Sequence, residues 1–128
     1  DSRAYLCRSG VVRQLSRDHT YVAELVASGL IPPEEAHTHP ERNKITRALG
    51  FEPGLMPDMH RTRIQEGDRL LFCTDGLTEY VEESELAEIL SQAAPEAAAE
   101  RLVAMANERG GRDNTTVVVT VIEPGDMP

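Results

Sequence analysis

Two short apolar stretches, Ala4–Cys7 and Val11–Leu15, flank Ser9-Gly10 and predict a β-hairpin that turns at the glycine. Thr20 precedes Tyr21–Ser28, a predicted helix with Val22, Leu25 and Val26 on one face, an N-cap threonine and Gly29 at the C′ position. Pro32-Pro33-Glu34-Glu35 predicts the start of a second short helix, since proline is tolerated in a first turn and acids there suit the helix dipole. His37 to Pro57 is less regular and is expected to be loop, with a short helical piece near Asn43–Leu49. A second hairpin is predicted from Arg61–Gln65, a Glu66-Gly67-Asp68 turn and Arg69–Cys73. The run Leu70-Leu71-Phe72-Cys73 does not alternate, so this strand is expected to be covered on both faces. Ser84 is placed to cap a helix through Ser91, with Leu86, Ile89 and Leu90 inward. Pro95–Arg109 then carries an apolar stripe of Ala98, Leu102, Met105 and Ala106, and Gly110-Gly111 stops it. Thr115–Ile122, rich in Val and Thr, is the clearest strand, and 124–128 reads as a tail.

Hairpins imply antiparallel pairing, which excludes a Rossmann-like alternation of single strands and helices. The expected class is α+β: antiparallel sheet with helices packed outside. Composition adds little to this. Hydrophobic residues at 40% and charged residues at 27% describe an ordinary globular chain, and no apolar run approaches a membrane span. No signal peptide is visible, and a first residue other than Met is compatible with a lost start. The net charge of −9, from 22 acids against 13 bases, opposes binding to a phosphate backbone, so nucleic acid is excluded as the main partner. Cys7 and Cys73 lie far apart in apolar contexts with no zinc spacing, and are expected to be buried, reduced core residues of a cytoplasmic protein.

Two segments carry candidate chemistry. Leu71-Phe72-Cys73-Thr74-Asp75-Gly76 delivers a carboxylate at the end of a buried strand, followed at once by glycine. Gly110-Gly111-Arg112-Asp113-Asn114-Thr115 delivers another just before a strand. Carboxylates on rigid strand ends suit hard cations such as Mg²⁺ and Mn²⁺. The competing reading is that Asp-Gly is a common turn and Asp-Asn an Asx-turn. His37 and His39, two apart near acids, are read as solvated or locally hydrogen-bonded; His19 and His60 have no evident catalytic partner. Glu82, Glu83, Glu85 and Glu88 are read as acids favoured at a helix start.

Asp1-Ser2-Arg3-Ala4-Tyr5-Leu6 resembles the Gly-Asp-Ser-Arg motif of the PPM (type 2C) protein phosphatases, without its glycine. Leu15-Ser16-Arg17-Asp18-His19-Thr20 is similar to their Leu-Thr-x-Asp-His-Ser segment. Gly29-Leu30-Ile31, His39-Pro40-Glu41-Arg42-Asn43 and Thr46-Arg47-Ala48-Leu49-Gly50 resemble the flap region of the bacterial branch. Gly67-Asp68-Arg69-Leu70-Leu71 with Thr74-Asp75-Gly76-Leu77 resembles the Gly-Asp and Ser-Asp-Gly-Leu signature, and Arg112-Asp113-Asn114-Thr115-Thr116 the closing Asp-Asn-x-Thr.

The resemblance implies a partial α-β-β-α sandwich of antiparallel sheets flanked by helices, with residues 1–123 as the C-terminal portion of a phosphatase domain. It implies hydrolysis of phosphoserine and phosphothreonine esters by water activated at a Mn²⁺ or Mg²⁺ two-metal centre. Asp75 and Asp113 match ligands of that centre, and Asp1 a ligand, with the counterpart of Asp75, of a third ion; Asn43 falls near that ion. Phosphorylated proteins, among them serine/threonine kinases and their substrates, are the implied partners. The family's phosphate-binding arginine, bridging Asp-Gly and acid–base histidine precede Asp1, and Arg3, Arg17 and Arg47 do not match that arginine. The expectation is therefore no catalytic residue in this half, weak metal binding and negligible turnover by this chain alone. Exposed inter-sheet surface makes an isolated chain expected to aggregate, oligomerise or order only in part. The alternative reading is a non-catalytic PPM-fold regulatory or phosphoprotein-binding module, and a phosphatase domain that regulates sigma factors is a third.

Overall fold

The computed structural model describes residues 1–126. Its elements in chain order are β1 (Arg3–Arg8), β2 (Val11–Gln14), α1 (Tyr21–Ala27), a 3₁₀ turn at Pro33–Glu35, β3 (Arg69–Cys73), α2 (Asp75–Thr78), α3 (Glu83–Gln92), α4 (Pro95–Glu108), β4 (Val117–Val121) and a 3₁₀ turn at Pro124–Asp126. The chain divides into two units. One joins Ser2–Ser16 to the chain from His60 onward, and the other holds Asp1 with Arg17–Met59.

In the larger unit the strands form one antiparallel sheet in the order β2-β1-β3-β4. Ser9 (φ 51°) and Gly10 (φ 78°) both take the left-handed conformation, the geometry of a type I′ turn, whose twist matches that of the strands it joins. The register sets Tyr5 opposite Leu71 and Leu71 opposite Val119, so these side chains share a face. On that face Tyr5, Cys7, Leu71 and Cys73 form one core with Leu77, Leu86, Leu90, Ala98, Leu102, Met105 and Ala106. Helix α3 starts with a capping box of Glu82 and Glu85 rather than at the predicted Ser84, which lies inside the first turn. The glutamate pair satisfies two orphan N–H groups at once, where one serine would satisfy one. At the other end of α3 the Arg69 guanidinium donates to the carbonyls of Leu90 and Ala93. That tie anchors the helix terminus to β3 and places positive charge where the helix dipole is negative.

Two further expectations fail in this unit. Residues 61–65 are not a strand, because both edges of β3 are already taken by β1 and β4. Instead Arg8 donates to the Arg63 carbonyl (2.8 Å) and Arg13 to the Thr62 hydroxyl (3.2 Å). Nor is Leu70–Cys73 covered on both faces. Phe72 remains 46% exposed and Val118, its partner across β3 and β4, 55% exposed. These two, with Ala4 opposite Phe72, line an apolar depression of about 360 Å³ on the face away from the helices.

In the smaller unit α1 has the predicted ends. The Thr20 hydroxyl accepts from Ala23 N–H (3.2 Å), and Gly29 (φ 70°) lets Leu30 N–H reach back to the Leu25 carbonyl (2.9 Å). The predicted helix near Asn43–Leu49 does not form. Ile45 pairs with Thr20 in an isolated bridge, Tyr21 N–H bonds the Lys44 carbonyl and Thr46 N–H the His19 carbonyl, so this backbone is committed across the unit rather than along a helix. Pro33–Glu35 makes only a 3₁₀ turn. His19 Nε2 lies 2.7 Å from Asp58, which also accepts from Arg47 (3.1 Å). His19 first, then Arg47, hold the Asp58 carboxyl below its usual range.

Candidate functional site

Where β3 ends, Thr74 extends the ladder by one more step. Its N–H donates to the Thr116 carbonyl (3.1 Å), while its hydroxyl accepts from Thr116 N–H (3.0 Å) and reaches the Asn114 carbonyl (3.5 Å). Asp75 follows as the first residue of α2, half-buried, with Gly76 and Leu77 buried behind it. A Cβ on Gly76 would stand 2.3 Å from the Asn114 carbonyl oxygen and 2.9 Å from Thr115 Oγ1, so only glycine permits the approach of these two backbones.

The segment that carries Asp113 approaches from the other side. Helix α4 ends before Gly110 (φ 149°) and Gly111 (φ 54°), and Asp113–Thr116 leads into β4. Asp113 is exposed, and its Oδ1 accepts from Asn114 N–H at 2.7 Å, a bond to the next residue rather than the bond two residues on that makes an Asx-turn. The residues flanking Asp75 thus touch the residues that follow Asp113, and the two carboxylates are carried on segments packed together. Thr115 Oγ1 is buried there without a hydrogen-bond partner among the described residues.

Asp1 and Asn43 are exposed residues of the smaller unit. His37 is exposed, and His39 Nδ1 accepts from Glu41 N–H (3.1 Å) while its ring meets Tyr21 edge-on. Cys7 and Cys73 are buried and free, and burial pushes the Cys73 thiol up to about 11. Among the described residues no three His, Cys, Asp or Glu side chains converge as a ready metal cage. The residues at the Asp75–Asp113 junction nevertheless suit a hard cation: their charged donors are carboxylates, the Gly76 cradle admits no side chain, and one hydroxyl lacks a partner.

Several interactions elsewhere in the larger unit escaped the sequence. Asp68, 1% exposed, takes a two-pronged bond from Arg8 (2.7 Å each) and another from Gln65 N–H (2.7 Å), and Arg8 leads the causes that hold its carboxyl below the usual range. Arg109 grips Glu85 with two nitrogens (2.8 and 2.6 Å) and the Tyr80 carbonyl (2.7 Å), which brings the Glu85 carboxyl down to about 2. The glycine-aspartate dipeptide at Gly67-Asp68 signals a turn but not the arginine that answers it from β1.

The family model for Stage II sporulation protein E (SpoIIE) matches residues 16–122, most of the chain. The chain belongs to the SpoIIE/PPM-type family. Among its relatives, the serine/threonine protein phosphatase PstP of Mycobacterium tuberculosis is 44% identical over 120 residues, 93% of this chain and 23% of PstP. The 1.95 Å crystal structure of the M. tuberculosis phosphatase PstP/Ppp matches with a TM-score of 0.91 at 42% identity, over 96% of this chain and 52% of that one. The serine/threonine phosphatase Stp of Listeria monocytogenes is 43% identical over 93% of this chain and 48% of its own. The catalytic domain of PstP in complex with two manganese ions has a TM-score of 0.81 at 40% identity, over 96% of this chain and 51% of that one. This SpoIIE/PPM-type chain therefore spans about half the length, or less, of the relatives it matches.

Proposed function

We propose that this chain is the C-terminal portion of a serine/threonine protein phosphatase and supplies Asp75 and Asp113 to a divalent-metal centre, with Mn²⁺ or Mg²⁺ as the ions. The observation that carries the proposal is the approach of Gly76 to Asn114, which packs the segment bearing one carboxylate against the segment bearing the other. When bound, a metal pair in such a site draws the pKa of a water toward neutrality and neutralises charge on phosphoryl oxygens. The chain's own part is to hold two carboxylates in place: Thr74 fixes Asp75 to the β4 side of the junction, and the Asn114 N–H orients Asp113. The thiols offer no competing covalent route, since Cys73 stays protonated at neutral pH and both are buried.

The substrates proposed are phosphorylated proteins, including serine/threonine kinases and their targets, met in the cytoplasm where ATP-dependent kinases work. Asp1 is proposed as a ligand of a third ion, and residues 1–123 as the domain portion. The uncovered Phe72–Val118 face fits this reading, because a further sheet packed there would complete a sandwich. The test compares Mn²⁺-dependent hydrolysis of a phosphothreonine peptide by this chain and by the product of the intact coding sequence. Negligible turnover is expected from the chain alone, and turnover abolished by Asp75→Ala or Asp113→Ala from the intact product. Undiminished turnover in either variant would overturn the assignment.

A further inference from the structure

Tyr80 lies five residues beyond Asp75, just past α2, and joins both halves of the junction. Its N–H bonds the Leu77 carbonyl (3.0 Å), which fixes it to α2. Its carbonyl accepts from Arg109, the residue that ends α4 and is itself held by Glu85. The ring packs against the hydrophobic core. Its hydroxyl accepts a long bond from Arg112 N–H (3.4 Å), the amide immediately before Asp113. It also lies 2.9 Å from where a Cβ on Gly110 would be, so the loop runs directly over the ring with no space for a side chain. The loop that carries Asp113 thus has two supports: Thr74 against Asn114 on one side, and Tyr80 against Gly110 and Arg112 on the other.

We propose that Tyr80 is a positioning residue that holds the Gly110–Arg112 loop so that Asp113 is presented for a divalent cation. The inference rests on the reading of Asp75 and Asp113 as ligands given above. Supports one step behind a ligand set its orientation, and their loss costs metal affinity even where the fold survives. An exposed carboxylate on a loop with two consecutive left-handed or strained glycines needs such a support more than one on a strand end. Rigid placement of Asp75 by the β3 ladder explains why the support is found on the Asp113 side.

Tyr80→Phe retains the ring and removes only the hydroxyl, which makes it the decisive variant. Mn²⁺ is titrated into this chain while the paramagnetic broadening of the Asp75 and Asp113 amide resonances is followed, a readout that registers weak binding. Amide exchange at Arg112 and thermal melting are measured without metal. We expect the Mn²⁺ concentration for half-broadening to rise about 3- to 10-fold, below the roughly 10- to 100-fold of groups bonded directly to a ligand, because Tyr80 acts through the Arg112 amide. Arg112 exchange should quicken while the melting temperature stays near that of the parent. Unchanged broadening in Tyr80→Phe, with a weakened response in Asp113→Ala, would overturn the role of Tyr80 and leave the ligand reading intact. A loss of affinity that tracks a lowered melting temperature, with Arg112 exchange unchanged, would also overturn it. If neither Asp75→Ala nor Asp113→Ala alters the broadening, the ligand reading itself fails, and the role of Tyr80 with it. Should Tyr80→Phe not fold, Arg109→Lys tests the same support from the carbonyl side, with the same outcomes.

Discussion

Gly76→Ala pits two effects of opposite sign against each other within α2. Helix propensity favours alanine over glycine by about 1 kcal/mol, so on local grounds the substitution stabilises. The new Cβ, however, stands 2.3 Å from the Asn114 carbonyl oxygen, about 1 Å inside ordinary contact, and 2.9 Å from Thr115 Oγ1. A side-chain tip would rotate aside, but a backbone carbonyl cannot, and Thr116, two residues after Asn114, is tied to Thr74 by two hydrogen bonds. Overpacking costs about 1–3 kcal/mol, and a clash this deep with a backbone atom belongs at the upper end, about 2–3 kcal/mol, so steric cost outweighs propensity and the net loss is about 1–2 kcal/mol. Urea unfolding of the chain, followed by circular dichroism, reads this directly. With an m-value of about 2 kcal/mol/M, the midpoint should fall by about 0.5–1 M at unchanged slope. Gly125→Ala, where a Cβ meets nothing within 4 Å, should leave the midpoint in place. A Gly76→Ala midpoint at or above that of the parent would refute the close approach, and with it the main structural support for a shared site.

Leu102→Ala, at a fully buried position of α4, should lose about 2–5 kcal/mol in the same unfolding assay. Glu85 has its carboxyl lowered from 4.5 to about 2, so its bond to Arg109 supports the fold above pH 4.5 and that support is lost as pH falls through 2. The unfolding midpoint of Glu85→Gln should accordingly be flatter than the parent's between those pH values. Cys73, buried and with its thiol raised to about 11, should resist iodoacetamide at pH 8 in the folded chain and react promptly once urea unfolds it.

Local signals were readable where the structure answers them locally. Thr20 and Gly29 bound α1, Ser9-Gly10 makes the β1–β2 turn, and the stripe of Ala98, Leu102, Met105 and Ala106 faces the core. The strand expected at Arg61–Gln65 was not, because β3 pairs with strands distant in sequence, which leave it no free edge. The uniform apolar run at Leu70–Cys73 misled for a related reason: Phe72 is apolar on a face that the helices do not cover. In the helix cap at Glu82 the reciprocal partner Glu85 outweighs the individually better-suited Ser84. At the candidate site the two aspartates stood out by their place beside strands and by family resemblance. Their supports did not, because Thr74 against Thr116 and Tyr80 against Arg112 are contacts across more than thirty residues, made by types that carry no motif.

The sheet is joined edge to centre: β2 lies outermost, β1 next to it, and β3 beyond, yet the polypeptide between β2 and β3 runs from Leu15 to Asp68 and contains the whole Arg17–Met59 unit. Closing a flexible connection costs only about 0.6 kcal/mol more for each doubling of its length. Changes in the length of this connection are therefore thermodynamically inexpensive for the sheet. Extra residues in the flexible turns of this connection load the sheet little, while the four strands and the helices on them are kept to their present spacing by a shared core.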